Sequence, residues 1–525
     1  MLYVYTCNII FVKLFLVNII FSCLLDACSF AACFAGGEKR IISDVNGIHE
    51  EDHVKKRLSV CMVSAGVFMT ILLTASAELY RRAPDVLPGT LPEMRTPEYW
   101  IARMEKPDEV ILTPDAIQRM NGAYVKFISG PDPFRDVSKE RVPNLSYWWP
   151  GYVTVQPNIA SMTSKAIADT VRARVRVEIE FMRSKPFGNA LAVEYSSRAL
   201  DAFEREMAVE TVRDDLKPRA GIAVRYTRLR NVSSFFPEHQ GITENGKTRW
   251  DQWNVGILKI AKPVTVFYPS RSGEYLFVLS EEGYGWVRSE DIAFGSTQTI
   301  QAFVKSPDFV VCTGDRVQFY SDANCTVSSG WFGMGDCLPL AEAKNPRLVK
   351  IPVRKSSGVF FTETAWLAKN AEVHAGWLPY TCRNIVMTAF KLLDNTYDWS
   401  GAWFGRQHET TYRDIFSVFG FRLPWNGGLF TFYGKNTEVM KPDIGAENQY
   451  KMILKHEPFV TVQSCGGHAQ LLLGDYNGMP IVFDQHGYGY KDENGKELEV
   501  RRCCIGDVRT PSYFLTRKVT FLELK

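Results

Sequence analysis

The chain has 525 residues, too many for one compact core, so its length alone predicts three or four domains. Its hydrophobic content of 46% and charged content of 23% are typical of a soluble globular protein and exclude a largely disordered chain. The net charge of +3 is too small to indicate a nucleic-acid partner.

The N-terminal region contains a secretory signal pattern in an unusual place. Residues 54–77 combine a basic start, an apolar run and a final Ala-Ser-Ala. In one interpretation, translation begins near Val54 or Met62. In the other, an earlier apolar stretch, residues 9–25, anchors the chain with lipidation at Cys28. We favour the first. Both predict an exported protein of the periplasm or cell envelope.

Cysteine usage argues against a zinc ribbon. Of 12 cysteines, those after the signal pattern are Cys312, Cys325, Cys337, Cys382, Cys465, Cys503 and Cys504. None of them has the CxxC spacing of a zinc site. An oxidising compartment would permit a disulfide from Cys312 to Cys325 or Cys337, and the odd count leaves one thiol over.

The middle of the chain changes from helical to β-rich texture. Residues 190–212 have helical apolar spacing, whereas 221–295 consist of short β runs separated by turns. A weak repeat follows at 315–340, where Gly330-Trp331 corresponds to Gly285-Trp286 in the previous block. We therefore expect two consecutive small β-barrels, with both tryptophans in their cores.

The last region predicts two helices packed on an antiparallel sheet. The second helix places Tyr412, Ile415, Phe416 and Phe419 on one face, which puts His408 at its start. Strands follow, joined by a hairpin turn at Asn477-Gly478. His468 leads one strand, and Asp484 ends the next.

These features resemble the NlpC/P60 family of cell-wall cysteine peptidases. The resemblance rests on the turn Tyr397, Trp399 and Gly401, on Gly467-His468, and on the run YGWVRSEDIA. It implies an α+β papain-like (NlpC/P60) C-terminal domain preceded by two small SH3-like β-barrels and a mixed N-terminal segment. The implied parts are a leader at 1–77, a stabilising segment at 78–215, SH3-like domains at 216–298 and 299–356, and the papain-fold domain at 357–525.

The family's catalytic pattern is altered in this chain. Where the resemblance implies Asp-Cys-Ser, the sequence has Gln407-His408-Glu409. His468 takes the place of the general base, and Asp484 that of the third residue, with His486 as its alternative. Tyr397 matches the tyrosine of the family's oxyanion hole.

The substrate-side motif is altered as well. A pattern resembling Leu-Pro-Arg-Asp-Ser reads Leu-Pro followed by Trp425, Asn426 and Gly427. The family hydrolyses peptidoglycan stem peptides, often between D-glutamate and the diamino acid. We therefore expect a protein that acts on or binds stem peptides or muropeptides and has lost hydrolysis, because an imidazole cannot replace a thiolate as an acyl-transfer nucleophile with a stable intermediate under ordinary conditions.

Two alternatives keep activity. A relocated thiol, with Cys465 the best candidate, could attack the substrate. Alternatively, His408, His468 and Asp484, with Glu409 nearby, could form a two-histidine, one-carboxylate metal set. The sequence assigns no cofactor and no metal ligand. We further expect a monomer without a nucleic-acid partner, with the N-terminal region as a candidate membrane attachment.

Overall fold

The computed structural model describes residues 83–128, 159–189, 193–234, 242–243, 251–424, 430, 433, 435–465, 467–486, 490–491, 497–511 and 513–525. These all belong to the second of two compact units, Arg81–Lys525. The predicted leader at 1–77, its Cys28, and the motif residues Trp425, Asn426 and Gly427 lie outside the described residues. Within the described ranges, no helix has both the length and the apolar character needed to cross a membrane.

The helices begin where side-chain oxygens can cap them. Thr163, Ser196, Ser296 and Thr381 each accept a hydrogen bond from the backbone N–H three residues on, which satisfies a donor left free at a helix start. The helices are α1 (Pro97–Ile101), α2 (Pro114–Ile128), α3 (Ser164–Arg183), α4 (Ser197–Met207), α5 (Thr297–Val304), α6 (Cys382–Phe390), α7 (His408–Ser417) and α8 (Ala446–Ile453).

Residues 219–294 form the first β module, a seven-stranded antiparallel sheet in the order β5-β3-β8-β7-β6-β2-β9. Trp286 is fully buried in its core, as predicted, and α3 packs against the same core. The strands of this region are β1 (Phe187–Gly188), β2 (Arg219–Ala223), β3 (Thr227–Arg230), β4 (Ile242–Thr243), β5 (Asn254–Leu258), β6 (Pro263–Pro269), β7 (Tyr275–Ser280), β8 (Gly283–Arg288) and β9 (Ile292–Phe294).

Residues 309–375 form the second β module, in which two sheets share one core. Their orders are β12-β11-β15-β14 and β13-β10-β16. The strands are β10 (Phe309–Cys312), β11 (Arg316–Tyr320), β12 (Ser328–Gly333), β13 (Cys337–Pro339), β14 (Leu348–Arg354), β15 (Phe360–Leu367) and β16 (Val373–Ala375). The expectation for Trp331 is wrong: it is half-buried and lies against Tyr226, with ring centroids 4.0 Å apart.

The C-terminal module is a six-stranded antiparallel sheet in the order β17-β24-β18-β19-β20-β23, with α6 and α7 packed on one face. Asn477 and Gly478 have positive φ values of 53° and 77° and form the predicted hairpin turn between β19 and β20. The strands are β17 (Lys435–Met440), β18 (Thr461–Ser464), β19 (Ala469–Tyr476), β20 (Met479–His486), β21 (Tyr490–Lys491), β22 (Glu497–Leu498), β23 (Arg502–Asp507) and β24 (Val519–Glu523).

The N-terminal segment contributes to the core of the C-terminal module. Met94, Trp100 and Ile117 are buried in one apolar cluster with the inner face of α7. The side-chain amide of Asn121 donates to the carbonyl of Gly420 at 2.8 Å, across 299 residues of sequence. The two ends of the described chain therefore share one core.

All seven cysteines of the described residues are free, so the disulfide from Cys312 to Cys325 or Cys337 does not form. Cys503 and Cys504 are adjacent on β23 and therefore face opposite sides of the sheet. Cys503 joins the core beneath the helices, and Cys504 packs with Ala83 and Leu87.

Candidate active site

The turn ahead of α7 is closed by its own polar groups. The carboxylate of Asp398 accepts from the backbone N–H groups of Trp403 and Gly405 at 2.8 and 2.7 Å. The Asp398 N–H donates to the carbonyl of Arg406 at 2.7 Å. These bonds hold the two ends of the turn together. They therefore fix the direction in which the chain enters α7.

The same turn is held against strand β5 of the first β module. The Asn254 side-chain amide donates to the carbonyl of Ser400 at 2.6 Å. Gly401 has a φ of +69°, and a Cβ there would lie 2.2 Å from the Ile257 Cδ1. Glycine is therefore required both by the backbone conformation and by the close approach. The side-chain oxygen of Gln407 accepts from the Ser400 N–H at 3.0 Å, so Gln407 stabilises the turn.

His408 is the first residue of α7, where the sequence places it, and both of its ring nitrogens have partners. Nδ1 lies 2.6 Å from the Gln485 carbonyl oxygen, and Nε2 lies 3.2 Å from the Tyr397 hydroxyl. A carbonyl can only accept, so Nδ1 carries the proton and Nε2 accepts from the tyrosine. Burial, reinforced by His468, holds the pKa of His408 well below its ordinary value, so the ring is neutral.

His468, the residue before β19, and Asp484 of β20 form a buried pair. The His468 Nε2 lies 3.0 Å from Oδ2 and 2.9 Å from Oδ1 of Asp484. Burial lowers the pKa of His468 to about 3 and raises that of Asp484 to about 6. At neutral pH, a neutral imidazole therefore donates to an ionised carboxylate. The Gln470 side-chain amide also donates to Oδ2, at 3.2 Å.

The structure brings His408, His468 and Asp484 together. One ligand atom from each lies within 4.8 Å of the others, and the two imidazole centroids are 4.0 Å apart. Tyr397 joins them through its hydroxyl. His486 is also close, with its ring centroid 5.7 Å from that of His468. His486 is fully buried, and neither of its nitrogens has a hydrogen-bond partner among the described residues.

In the part of the chain that the structure describes, no cysteine forms a hydrogen bond with the His468 ring. Its Nε2 contacts Asp484, and its Nδ1 has no hydrogen-bond partner there. Cys465 is 1% exposed, and burial raises the pKa of its thiol to about 12. Burial also holds the pKa values of Cys503 and Cys504 well above the ordinary range. Such thiols remain protonated at neutral pH and are poor nucleophiles.

Sequence reasoning missed a buried charge network on the outer side of α7. The Lys259 Nζ lies 2.7 Å from Oδ1 of Asp414, and the Arg406 Nε lies 2.8 Å from Oδ2. Arg406 also pairs with Asp315 from the second β module. Four charged groups thus join three modules at one place. No local pattern signals the pairing, because Lys259 and Asp414 are 155 residues apart.

A small cavity lies beside this network and leads to the start of α7. Its volume is about 20 Å³, enough for a single water molecule. Gln407 and Thr410 line it from the helix, and Tyr226 and Trp331 line it from the β modules. Its lining does not include His408, His468 or Asp484. The histidine cluster therefore lies on the other side of the helix start, facing the sheet.

Comparison with known proteins gives a family match within the first β module and a structural match over most of the chain. Residues 242–288 match the family model described as SH3 domain (SH3b1 type). The structure is similar to a solved NlpC/P60 endopeptidase from Photobacterium damselae subsp. piscicida. The TM-score is 0.63 at 16% identity, over 85% of this chain and 99% of that one. A search of curated protein sequences gives no match.

The match to the Photobacterium protein shows the fold alone, because the identity is low. NlpC2 from Trichomonas vaginalis matches with a TM-score of 0.22 at 10% identity, covering 56% of this chain and 94% of that one. That score is too low to support an argument. An SH3b domain and a fold shared with an NlpC/P60 endopeptidase over most of the length are therefore what the comparisons establish.

Proposed function

We propose that this chain is an exported NlpC/P60-like protein that binds peptidoglycan stem peptides and has lost thiol-dependent hydrolysis. The observation that carries the proposal is the state of His408. It occupies the helix start where the family resemblance implies a cysteine, and both of its nitrogens are engaged by Gln485 and Tyr397. The ring is a poor nucleophile for a peptide carbonyl, because it is buried and the lone pair on its Nε2 accepts a hydrogen bond from Tyr397.

The remaining groups of the site support descent from a hydrolase. Asp484 still orients His468, as the third member of a nucleophile–base–acid set orients its base. The Tyr397 hydroxyl lies beside the helix start, where an oxyanion would form. The SH3b match, the fold shared with an NlpC/P60 endopeptidase and the sequence resemblance to cell-wall peptidases support a peptidoglycan ligand.

The competing hypothesis, a working hydrolase with a relocated thiol, has weak support. Cys465 is the best candidate, yet it is buried and its thiol pKa is about 12. A group that is almost fully protonated at pH 7 supplies little thiolate. Thiol labelling of the native protein tests this directly, because a reactive Cys465 would be modified before unfolding.

A muropeptide assay tests the proposal. The wild-type chain should bind purified stem peptides in a calorimeter and should release no new amine, in the presence or absence of a chelator. Turnover by the wild type that His408→Ala abolishes would reject the loss of hydrolysis. Failure to bind either stem peptides or muropeptides would reject the ligand class.

Restoring the thiol provides a sharper experiment. His408→Cys places a thiol at the positive end of α7, where the helix dipole favours the thiolate, with His468 4.0 Å away between ring centroids. We expect this variant to acquire detectable muropeptide cleavage. The matched control is His408→Cys combined with His468→Gln, which keeps the thiol but removes the base, and it should remain inactive.

A further inference from the structure

We propose that His408, His468 and Asp484 bind one divalent transition-metal ion, with zinc the best match. This inference reverses the expectation that the chain has no metal ligand, and it stands whether or not stem peptides bind. Its basis is the convergence of three ligand side chains from three places in the fold: the start of α7, the residue before β19, and β20. One ligand atom from each residue lies within 4.8 Å of the other two.

The distances between the ligand atoms suit a metal site. Two atoms that each lie about 2.1 Å from one ion, at tetrahedral to octahedral angles, are about 3.0–3.4 Å apart. The His468 Nε2 and the Asp484 oxygens are 2.9 and 3.0 Å apart, close to that range. Coordination through Nε2 requires the proton that it donates to Asp484 to move to Nδ1, which has no hydrogen-bond partner among the described residues. The His408 ligand atom must approach by at most about 1.8 Å to complete the set. A change in side-chain torsion angles can supply that movement.

Outer hydrogen bonds already orient two of the three ligands. The Nδ1–H of His408 donates to the Gln485 carbonyl at 2.6 Å, which leaves the lone pair on Nε2. The Gln470 amide holds one oxygen of Asp484 at 3.2 Å. Metal-binding histidines and carboxylates in proteins commonly have such partners, which fix the ring tautomer and the ligand direction. The Tyr397 hydroxyl, which shares the His408 Nε2, is the group that a metal ion would displace.

An independent observation points to the same place. His486, two residues after Asp484 on β20, is fully buried, and neither of its ring nitrogens has a hydrogen-bond partner among the described residues. The Nδ1 of His468 is in the same state. Buried polar atoms without partners are rare in folded proteins, and an ion is one of the ordinary explanations. The His486 ring centroid lies 5.7 Å from that of His468, so these unpartnered nitrogens lie close to the proposed ligand set.

The donor types select the class of metal. Two imidazoles and one carboxylate suit zinc and its first-row neighbours, whereas calcium and magnesium prefer oxygen ligands. Burial keeps the imidazoles neutral, the form that binds metals. Glu409, which the sequence places beside this set, is not one of the three residues whose ligand atoms converge.

Metal titration of the full chain tests the site. The protein is stripped with a chelator and titrated with cobalt(II), whose visible absorption reports coordination by nitrogen and oxygen, and then with zinc as a competitor. We expect one ion per chain. His408→Ala and Asp484→Asn should each weaken binding by more than the roughly 10- to 100-fold that loss of an outer-shell partner costs. The control, His374→Gln, removes a partly exposed histidine of β16 and should bind like the wild type.

A second readout guards against variants that simply misfold. Zinc should raise the unfolding temperature of the wild type, because it binds the folded chain more tightly than the unfolded one. It should not raise that of metal-free Asp484→Asn, whose folding is checked by circular dichroism. Absence of stoichiometric binding, or equal binding by both ligand variants and the wild type, would overturn the proposal. Loss of binding in the His374→Gln control would do the same. Neither readout involves muropeptides, so this test and that of the proposed function can fail separately.

Discussion

Lowering the pH from 7 to 5 in the presence of a chelator should destabilise the folded chain, because three buried histidines cannot take up protons that they bind when unfolded. An exposed histidine has a pKa of about 6.5. In the folded chain, burial lowers the pKa of His468 and His486 to about 3 and holds that of His408 well below its ordinary value. The stability these groups contribute is therefore complete above pH 6.5 and is lost as the pH falls towards 3.

The size of the effect follows from these pKa values. Between pH 7 and 5, protonation stabilises an unfolded histidine by about 1.9 kcal/mol and leaves a folded histidine with a pKa of about 3 unchanged, which totals about 3.8 kcal/mol for His468 and His486. His408 acts in the same direction. Asp484 acts in the opposite direction, because its folded pKa is raised to about 6 and the folded chain takes up its proton first. That offsets about 1.3 kcal/mol, so the net loss from His468, His486 and Asp484 is about 2.5 kcal/mol, and His408 adds to it. Total stabilities are commonly about 5–15 kcal/mol, so the loss should be easily measured.

Urea unfolding at pH 7, 6 and 5 measures this loss. Other groups also titrate in this interval, so the informative quantity is the difference between the wild type and a variant. His486→Gln should reduce the pH dependence by about 1.9 kcal/mol, since one histidine no longer contributes. Thr461→Ser, a buried substitution on the same sheet without a titratable group, should leave it unchanged. Identical pH dependence in the wild type and His486→Gln would refute the reasoning.

Two further substitutions test how α7 and its turn are held. Asp414→Asn removes the carboxylate shared by the buried Lys259 and Arg406, and loss of one partner from a buried ion pair costs about 3–5 kcal/mol in urea unfolding. An effect below about 1 kcal/mol, as for exposed pairs, would contradict that assignment. Gly401→Ala should cost about 1–3 kcal/mol more than Gly273→Ala, because both have positive φ but only at Gly401 would a Cβ overlap a neighbouring side chain. Equal losses would argue against close packing of the turn.

The parts of the fold that local patterns specify were predictable. The start of α7 follows from apolar spacing at Tyr412, Ile415 and Phe416, all of which are fully buried. The Asn477-Gly478 turn follows from residues that tolerate positive φ. These predictions place Asp484 on a strand and His468 just before its partner strand, and the geometry of the site then follows from the register that sets Gln470 opposite Asp484.

Features that depend on distant residues were not predictable from one sequence. The charge network at Asp414 joins groups from three modules, and no periodicity connects them. Strands β15 and β16 belong to the second β module, although they follow residue 356, where the sequence analysis ends the second barrel. The Gly-Trp repeat predicts that Trp331 is a core residue. Instead it lies beside Tyr226 of the first β module, and a contact between modules leaves no local pattern.

The sharing of one core by the two ends of the described chain has a consequence for biosynthesis. Residues such as Trp100 leave the ribosome early, but their partners around Gly420 follow about 300 residues later. At about 5–20 residues per second, that interval is roughly 15–60 s, during which this apolar surface has no native cover. A holdase, or delivery across a membrane before folding, would protect the nascent chain. Deletion of the segment that carries Met94, Trp100 and Ile117 should expose the apolar face that these residues cover on the C-terminal module, and that face should promote aggregation.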